Sequence, residues 1–500
     1  MCDFAAVPGV DGFVGFRRNP RNSHAAAMGF VRHGVQNPAL FGACREICAF
    51  RKRKWLPFCE TRIIRGDKKH GKEAAVNDST AAYRLREQLK KFVGIVFPHV
   101  PKSQKEFLGQ MFFGIQAGQT TVVSRIAREL DEDILLKKTE ERLSRHLLDE
   151  GLAAMVQGAV LAQGAACVQE DTIVSIDPSD IQKPYAREGG MPLLAKVWDG
   201  SRGRVGDNLG YNLCFATATP SMSRRIVPLH MTMWSAKEEG FTSENDKVLD
   251  VVRKISGAVD KRGIYVYDRG GDGDWLFDFF IEEGLDFIVR LVGERHLLHW
   301  NGKRPAAELA ETCVMKYRQR VTFKSHGKER EVPIEYGSLP VRLPEHPDAE
   351  LRLVVVKWPK GETPMMLLTT LRAARSRRSL RQVVEGYLTR WRVEETIRFV
   401  KQSYEVEDVR LLRFDRLRAM VAIVLATAYF AMAWLGLGDR LAVLADHVKR
   451  VSRRMFETPE FFFYAIADGI CRLFARHGRW NGLDGPDETP EEPCQMILAL

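Results

Sequence analysis

Residues 379–404, SLRQVVEGYLTRWRVEETIRFVKQSY, decide how the rest of the chain is interpreted. The stretch has no proline and a single glycine, and its apolar residues recur at helical spacing, so we predict one continuous helix. Tyr387, Arg390, Glu394 and Lys401 stand at offsets 0, 3, 7 and 14 along it. At about 100° per residue they share a stripe roughly 60° wide. Such a stripe suits a site in which the glutamate holds a metal ion and the other three groups hold a phosphodiester.

The ordinary alternative for this stretch is a solvated amphipathic helix with an ion pair between Arg390 and Glu394. A catalytic interpretation needs further acids upstream, and residues 172–177, TIVSID, supply the first. This pattern is typical of a buried strand that ends in an acid, with a proline to stop it. We therefore expect Asp177 to present its carboxylate at the edge of a sheet, and Asp180 is a rival candidate nearby.

Residues 263–268, GIYVYD, repeat the pattern of an apolar strand that ends in an aspartate. The block 268–272, DRGGD, follows, and its glycines allow a tight turn into a helix that we expect to run through Gly284. Asp268 is thus the second candidate acid, and we expect Asp272 to cap or orient rather than to bind metal. An aspartate that merely caps a helix is the alternative, since such caps are common.

Length and charge narrow the class of protein. The 500 residues suffice for two to four domains with a large core. The net charge of +11 and the pI near 9.2 favour a polyanionic partner, either nucleic acid or an anionic membrane surface.

Nine scattered cysteines, an odd number, favour a reducing cytosol. Cys44, Cys48 and Cys59 lack a convincing fourth zinc ligand, so free thiols are the favoured interpretation.

The first 80 residues carry 14 Lys and Arg against 7 Asp and Glu, which is +7 of the total +11. The basic run at 51–54, RKRK, either touches a DNA backbone or is simply solvated. Arg17 and Arg18 follow the first apolar stretch, which is the wrong order for a signal peptide. This segment is either an extension or the product of an early start codon, with Met28 as the alternative start.

Residues 81–165 have the periodicity of short helices. Ser103 opens a capping-box pattern, SQKE, for a helix that runs to about Gln116. Further helices are predicted at 120–130 and 137–148. Their polar sides carry Arg125, Arg128, Arg142 and Arg145. This pattern fits a small helix-turn-helix-like DNA reader and a plain three-helix bundle equally well.

The middle of the chain alternates strands and helices. Strands are predicted at 191–198, 212–220, 225–235 and 286–292, and a helix at 243–259 that Ser243 caps. Residues 294–369 form a β-rich region, with strands predicted at 321–325, 331–336, 339–343, 350–358 and 365–370.

The C-terminal third is basic, then apolar, then acidic. Residues 372–401 hold nine basic residues against three acids, which predicts a positive face. Residues 419–437 carry no charge over nineteen positions, long enough for a membrane span, but their Ala and Gly content favours a buried core helix. Residues 455–476 are predicted as one more helix. The tail after Gly478 is rich in Gly, Pro and acids and is expected to be flexible.

These motifs resemble those of a known family. The spacing Y-x2-R-x3-E-x6-K over residues 387–401 resembles the Y-R-E-K signature of the DDE transposases of insertion-sequence family four. The DRGGD block at 268–272 resembles the D-R-x-x-D block that carries this family's second catalytic aspartate. The resemblance implies an α/β fold: an RNase H-like mixed-sheet core with a β-rich insertion and a helical N-terminal DNA-binding region.

The resemblance also implies boundaries and site residues. The expected segments are a basic, poorly ordered extension (1–80), a helical DNA-binding domain (81–165), two parts of the catalytic core (166–293 and 370–452), a β-strand insertion (294–369), and a C-terminal helix with a flexible tail (453–500). Asp177, Asp268 and Glu394 would be the catalytic acids and would bind two Mg²⁺ or Mn²⁺ ions. Tyr387, Arg390 and Lys401 would hold phosphates. Arg125, Arg128, Arg142 and Arg145 are the DNA-binding candidates of the helical region.

A transposase of this kind would cut the terminal repeats of its element and join the 3′-OH ends to target DNA. The implied partner is double-stranded DNA, bound by a homodimer in the bacterial cytoplasm at the nucleoid, and no membrane is expected. Met365 stands where some relatives have a tryptophan that wedges at a flipped base, so a hairpin intermediate is only weakly implied.

Three rival interpretations remain open at this point. A non-catalytic DNA-binding derivative of a transposase predicts the loss of an acid, and all three are present. A nuclease with the same core but without strand transfer has the same sequence features. A membrane protein built on residues 419–437 is disfavoured, because a single span would stand in an otherwise globular, basic chain.

Overall fold

The computed structural model describes residues 77–484 except 184–185, 188, 198–207, 221–224, 301, 326–327, 360–362, 372–375, 437–438 and 453–460. The cysteines and basic run predicted within 1–76, and the tail from 485 onward, lie outside the described residues. The helices are α1 (Asp78–Val96), α2 (Lys102–Gly118), α3 (Val123–Leu130), α4 (Leu136–His146), α5 (Leu152–Ala165), α6 (Glu244–Ala258), α7 (Asp274–Glu282), α8 (Ala306–Thr312), α9 (Arg377–Thr389), α10 (Trp391–Ser403), α11 (Phe414–Met432), α12 (Asp439–Val451) and α13 (Phe463–His477). The strands are β1 (Ile173–Gln182), β2 (Ala195–Lys196), β3 (Leu209–Thr219), β4 (Val227–Trp234), β5 (Ile264–Tyr267), β6 (Asp286–Arg290), β7 (His296–His299), β8 (Gly302–Pro305), β9 (Tyr317–Ser325), β10 (Lys328–Val341), β11 (Leu351–Lys357) and β12 (Met365–Thr369).

A large mixed sheet organises the described part of the chain. Its order is β2-β3-β1-β5-β6-β12-β11-β10-β9, and β4 pairs with β3 beside this path. Strands β1, β5 and β6 are parallel neighbours, whereas the other pairs are antiparallel. Strands β9 to β12 of the predicted β-rich region therefore extend the same sheet, whereas β7 and β8 form a two-stranded sheet of their own. The strands expected at 331–336 and 339–343 are one long strand, β10, and the strand expected at 191–198 is only the two residues of β2.

Apolar side chains cover both faces of the sheet. On one face, α9 places Leu380 and Val384 among Ile173, Val266 and Ile288. The absence of a side chain at the single glycine of this helix allows the approach, because a Cβ there would lie 2.9 Å from the Cδ1 atom of Ile173.

On the other face, aromatic rings join α7 to the sheet. Phe280 stacks on Phe287 with ring centroids 5.3 Å apart and lies 5.9 Å from the ring of Tyr265. Burial of these large rings is the dominant favourable term for holding the layers together.

The uncharged stretch near 419–437 is a buried helix. Helix α11 is buried along nearly its whole length, and Phe92 of α1 packs against Tyr429, Phe430 and Trp434. The preference for a core helix at this position is confirmed. No helix among the described residues has the length and apolarity needed to cross a membrane.

The prediction of one continuous helix over 379–404 is wrong. The helix is divided into α9 and α10 at Arg390, where backbone bonds span three residues: the Arg390 amide donates to Tyr387 and the Val393 amide donates to Arg390. The Thr389 hydroxyl donates to the carbonyl of Glu385 at 2.7 Å, a back-bond that commonly bends helices.

The prediction that β1 ends at Asp177 is also wrong, since the strand continues through Pro178 to Gln182. Strand β3 pairs with β1 over this whole length, whereas the parallel pairing with β5 stops at Ser175. The proline thus lies where β1 has one open side, and its missing N–H is tolerated there.

Two predicted element starts in the helical region are wrong as well. The N-cap of α2 is Pro101, so Ser103 lies inside the first turn and forms no capping box. Pro101 has a φ of −54°, which already sets the backbone for the helix. Helix α3 begins at Val123, because Thr121 instead donates its hydroxyl to the carbonyl of Glu405. The cap at Ser243 is confirmed: its hydroxyl accepts from the amide of Asp246 at 3.1 Å.

Candidate active site

Asp177 and Asp268 lie at equivalent heights on neighbouring strands. The parallel register pairs Ser175 with Val266, and each aspartate stands two residues further along its own strand direction. Because side chains two apart share a face, both carboxylates belong to the same side of the sheet. Asp268 follows β5 directly and accepts a hydrogen bond from the amide of Gly270 at 2.8 Å, which fixes its rotamer over the turn.

Arg390 brings the third acid to this position. Its Nη1 lies 3.3 Å from Oδ1 of Asp177, and its Nη2 donates to Oε1 of Glu394. Glu394 occupies the first turn of α10, and the guanidinium of Arg390 lies between its carboxylate and that of Asp177 on β1. The arginine side chain is 13 % exposed, and its buried Nε has no hydrogen-bond partner among the described residues, so the group points into the site and not into solvent.

The charges of the three acids interact. Burial raises the pKa of Asp177 to about 8; the Arg390 guanidinium opposes this shift, and the carboxylates of Glu394 and Asp268 add to it. Asp177 is therefore held in a crowded, partly desolvated acidic environment that favours a cation. Burial lowers the pKa of Arg390, but the charges of Asp177 and Glu394 outweigh burial, so the net pKa is raised and the guanidinium stays charged.

Asp272 orients the turn after β5, as the sequence predicts. Its Oδ2 accepts from the amide of Val292 at 2.6 Å, and its Oδ1 accepts from Nε of Arg295. Arg295 also donates to Asp274 at 2.7 Å and stacks over the ring of Phe277. The block that carries Asp268 is thus clamped to the chain that leaves β6.

The remaining two residues of the 387–401 motif also face inward. The ring of Tyr387 is buried beneath the guanidinium of Arg390, with 6.0 Å between the Cζ atom and the ring centroid. Nζ of Lys401 lies 3.1 Å from Oε1 of Glu407 and 3.6 Å from Oδ1 of Asp180. Asp180, the rival acid, therefore pairs with the lysine of the motif.

The four arginines of the helical region differ in their surroundings. Arg128 and Arg145 are exposed on α3 and α4. Arg125 is about half exposed and pairs with Glu405 at 3.1 Å. Arg142 donates to Glu132 at 2.7 Å and is the least exposed of the group.

Met365 is a core residue. It begins β12 opposite Val356, is 4 % exposed, and belongs to the apolar layer beneath α9. Its side chain does not reach solvent, so it cannot wedge into DNA from this position.

Sequence inspection gave no signal for Lys183. It directly follows β1, is buried, and donates from Nζ to the backbone carbonyls of Glu407 and Val409. A lysine in the short polar segment after a strand looks like a surface residue, because its acceptors are backbone atoms more than two hundred positions away.

The donor set of Asp177, Asp268 and Glu394 has the chemistry that a hard divalent cation prefers, since all three offer carboxylate oxygens. Among the described residues, no three or more Asp, Glu, His or Cys side chains already converge as a metal site. Arg390 accounts for this, because its guanidinium binds two of the three carboxylates.

The fold and the site define a class of protein: an α/β protein with a mixed sheet, in which one arginine binds two acids and a third acid stands beside them on the neighbouring strand. The sequence matches the family described as transposase DDE domain over residues 170–431, which is more than half of the chain and includes all three acids. The chain belongs to this family of DDE transposases.

No curated protein matches the sequence. Among solved structures, the chain is similar to a piggyBac transposase synaptic complex with hairpin DNA, at 10 % identity and a TM-score of 0.38, covering 80 % of this chain and 81 % of that one.

Proposed function

We propose that this chain cuts the ends of a mobile DNA element and joins them to target DNA through Asp177, Asp268 and Glu394. The reaction class is phosphodiester hydrolysis followed by transesterification. Water attacks the phosphorus at the element's end and releases a 3′-OH and a 5′-phosphate. The 3′-OH then attacks a target phosphodiester and displaces a target 3′-OH, so the number of phosphodiester bonds is conserved in the joining step.

The three acids would hold two Mg²⁺ or Mn²⁺ ions, which when bound supply the activation of water and the stabilisation of the leaving oxygen. The side chains around them have distinct tasks. Asp272 would keep Asp268 in place through the turn. Arg390 would exchange its carboxylate partners for a phosphate oxygen, for which its bidentate guanidinium is suited.

The strand order supports an RNase H-like core. An antiparallel group β4-β3-β1 is followed by the parallel pair β5 and β6. We propose further that Arg125, Arg128, Arg142 and Arg145 contribute to DNA binding, that Tyr387 and Lys401 support the phosphate site, and that a homodimer pairs two DNA ends in the bacterial cytoplasm. The insertion-sequence subgroup suggested by the Y-R-E-K spacing is part of the proposal.

One observation carries the proposal: Arg390 binds both Asp177 and Glu394, and Asp268 stands level with Asp177 beside the neighbouring strand. Three carboxylates from two strands and a distant helix outnumber the one guanidinium beside them. Packing alone gives no reason to gather such an excess of negative charge, because like charges at short range destabilise a fold. Acid clusters of this kind are typical of functional sites.

The test is cleavage of a supercoiled plasmid that carries the element's terminal repeats, with Mg²⁺, by the wild type and Glu394→Gln. We expect nicking and excision by the wild type and loss of about 10³-fold or more in rate in the variant, with DNA affinity unchanged. Glu395→Gln, on the same turn but paired with Arg398, is the matched control and should cleave normally. Equal activity of wild type and Glu394→Gln would refute the assignment. Cutting without joining would indicate a nuclease, and binding without cutting would indicate a non-catalytic DNA-binding protein.

A further inference from the structure

Lys183 is a buried lysine at the end of β1. It comes directly after β1, six residues beyond Asp177, and is 7 % exposed. Its backbone amide donates to the carbonyl of Leu209 at 2.7 Å, which fixes the main chain to β3. A buried ammonium group is unfavourable unless its donors are satisfied, so its position needs an explanation.

The ammonium group is satisfied by backbone carbonyls. Nζ donates to the carbonyl of Val409 at 2.9 Å and to that of Glu407. Burial lowers the pKa of Lys183 to about 8; the charges of Asp408 and Glu407 oppose the shift, and that of Arg410 adds to it. Both acceptors lie in residues 405–409, here called the post-helix segment, which begins two residues after α10 ends.

A second lysine also contacts both β1 and the post-helix segment. Lys401 of α10 reaches the Glu407 carboxylate of the post-helix segment and Asp180 of β1. Lys183 therefore connects the strand to the segment, and Lys401 connects the helix to the strand and the segment. Together they hold the helix of Glu394 against the strand of Asp177.

The post-helix segment is also fixed from the helical region. Glu405 has a φ of 49°, a left-handed conformation that is unfavourable for a residue with a side chain. Its carbonyl accepts from the Thr121 hydroxyl at 2.9 Å, and its carboxylate pairs with Arg125. The backbone that Lys183 binds is thus held in one place, and a fixed acceptor is what a positioning contact requires.

We infer that Lys183 is a positioning residue that sets the distance between Glu394 and Asp177 by binding the backbone of the post-helix segment. This inference rests on the proposed function. Among the described residues, Nζ of Lys183 bonds backbone carbonyls of the post-helix segment and not the three acids, so it is not a catalytic residue. Its removal frees the segment and allows α10 to shift, and a displacement of about 1 Å at a catalytic group can cost roughly 10²-fold in rate.

The experiment compares the wild type, Lys183→Met and Lys183→Arg, with Lys254→Met as an exposed-lysine control on α6. Single-turnover cleavage at saturating DNA, DNA affinity and Mn²⁺ affinity by calorimetry are measured for each. We expect Lys183→Met to lose about 10²-fold in cleavage rate and about tenfold in Mn²⁺ affinity, with DNA affinity within about threefold of the wild type. Lys183→Arg, which keeps charged donors, should recover most of both losses.

The outcomes separate this inference from the proposed function. If the wild type cleaves and Lys183→Met matches it in rate and in Mn²⁺ affinity, the positioning role is overturned. If the wild type binds Mn²⁺ but does not cleave, the proposed function fails, and the Mn²⁺ affinities of the variants still decide on Lys183. If the wild type does neither, both are overturned. Should Lys183→Met not fold, Lys183→Gln retains an amide donor and is expected to fall between Met and Arg.

Discussion

Nη1 of Arg390 lies 3.3 Å from Oδ1 of Asp177, and through this contact a basic side chain from the junction of two helices reaches a carboxylate in the middle of a strand. The same guanidinium bonds Glu394. A cation that binds two of the three acids competes with a metal ion for them, because both interactions need the same oxygens and the same negative charge.

We therefore expect Arg390→Gln to bind Mn²⁺ at least about tenfold more tightly than the wild type, since an opposite charge at about 4 Å is worth a few kcal/mol at a protein surface. DNA cleavage should nevertheless fall, because the proposed phosphate contact is lost. Mn²⁺ affinity is measured by calorimetry. Arg398→Gln, an exposed arginine on the same helix that pairs with Glu395, is the control and should leave the affinity unchanged. Unchanged Mn²⁺ affinity in Arg390→Gln would show that guanidinium and metal do not compete.

The arginines of the helical region are expected to behave differently in DNA binding. Arg128→Ala removes an exposed charge and should weaken binding evenly across sequences, lowering the slope of log affinity against log salt by about 1. Arg142→Ala should in addition reduce stability by about 1 kcal/mol or more, because Glu132 loses the partner that it binds at 2.7 Å. Salt titrations of DNA affinity and urea unfolding of both variants distinguish the two roles. A salt slope that is unchanged in Arg128→Ala would place the DNA interface elsewhere.

The buried position of Met365 gives a prediction about hairpin chemistry. Met365→Ala should lower the free energy of unfolding by about 2–5 kcal/mol through loss of buried contacts beneath α9. Met365→Trp should also destabilise, by about 1–3 kcal/mol, because the layer is filled. Both are measured by denaturant unfolding, with gel analysis of DNA ends for hairpin products. A stable Met365→Trp variant that gains hairpin formation would contradict the core assignment.

The sequence predicts the elements of this site better than their junctions. The helical period of 379–404, the strand patterns before Asp177 and Asp268, and the orienting role of Asp272 follow from local spacing, and local spacing is what a single sequence expresses. The division of the helix at Arg390 lies in backbone bonds that span three residues, and the continuation of β1 past Pro178 depends on its pairing with a distant strand. No sequence pattern marks Lys183, because its partners are backbone carbonyls, whose placement is a property of the tertiary fold.

His230 predicts how stability depends on pH. It is buried on β4, and neither ring nitrogen has a hydrogen-bond partner in the part of the chain that the structure describes. Burial lowers its pKa to about 3, with the charge of Lys254 adding to the shift. In the unfolded chain the pKa is about 6.5, so below that pH the unfolded state binds a proton that the folded state does not. Stability is therefore unaffected by His230 above pH 6.5 and falls as the pH drops from about 6.5 toward 3, by about 2 kcal/mol at pH 5. Urea unfolding at pH 7.5 and pH 5 should show this loss in the wild type and in His99→Gln, an exposed-histidine control, and a loss smaller by about 2 kcal/mol in His230→Leu. An equal loss in His230→Leu would mean that other groups account for the acid sensitivity and that His230 is protonated in the folded chain.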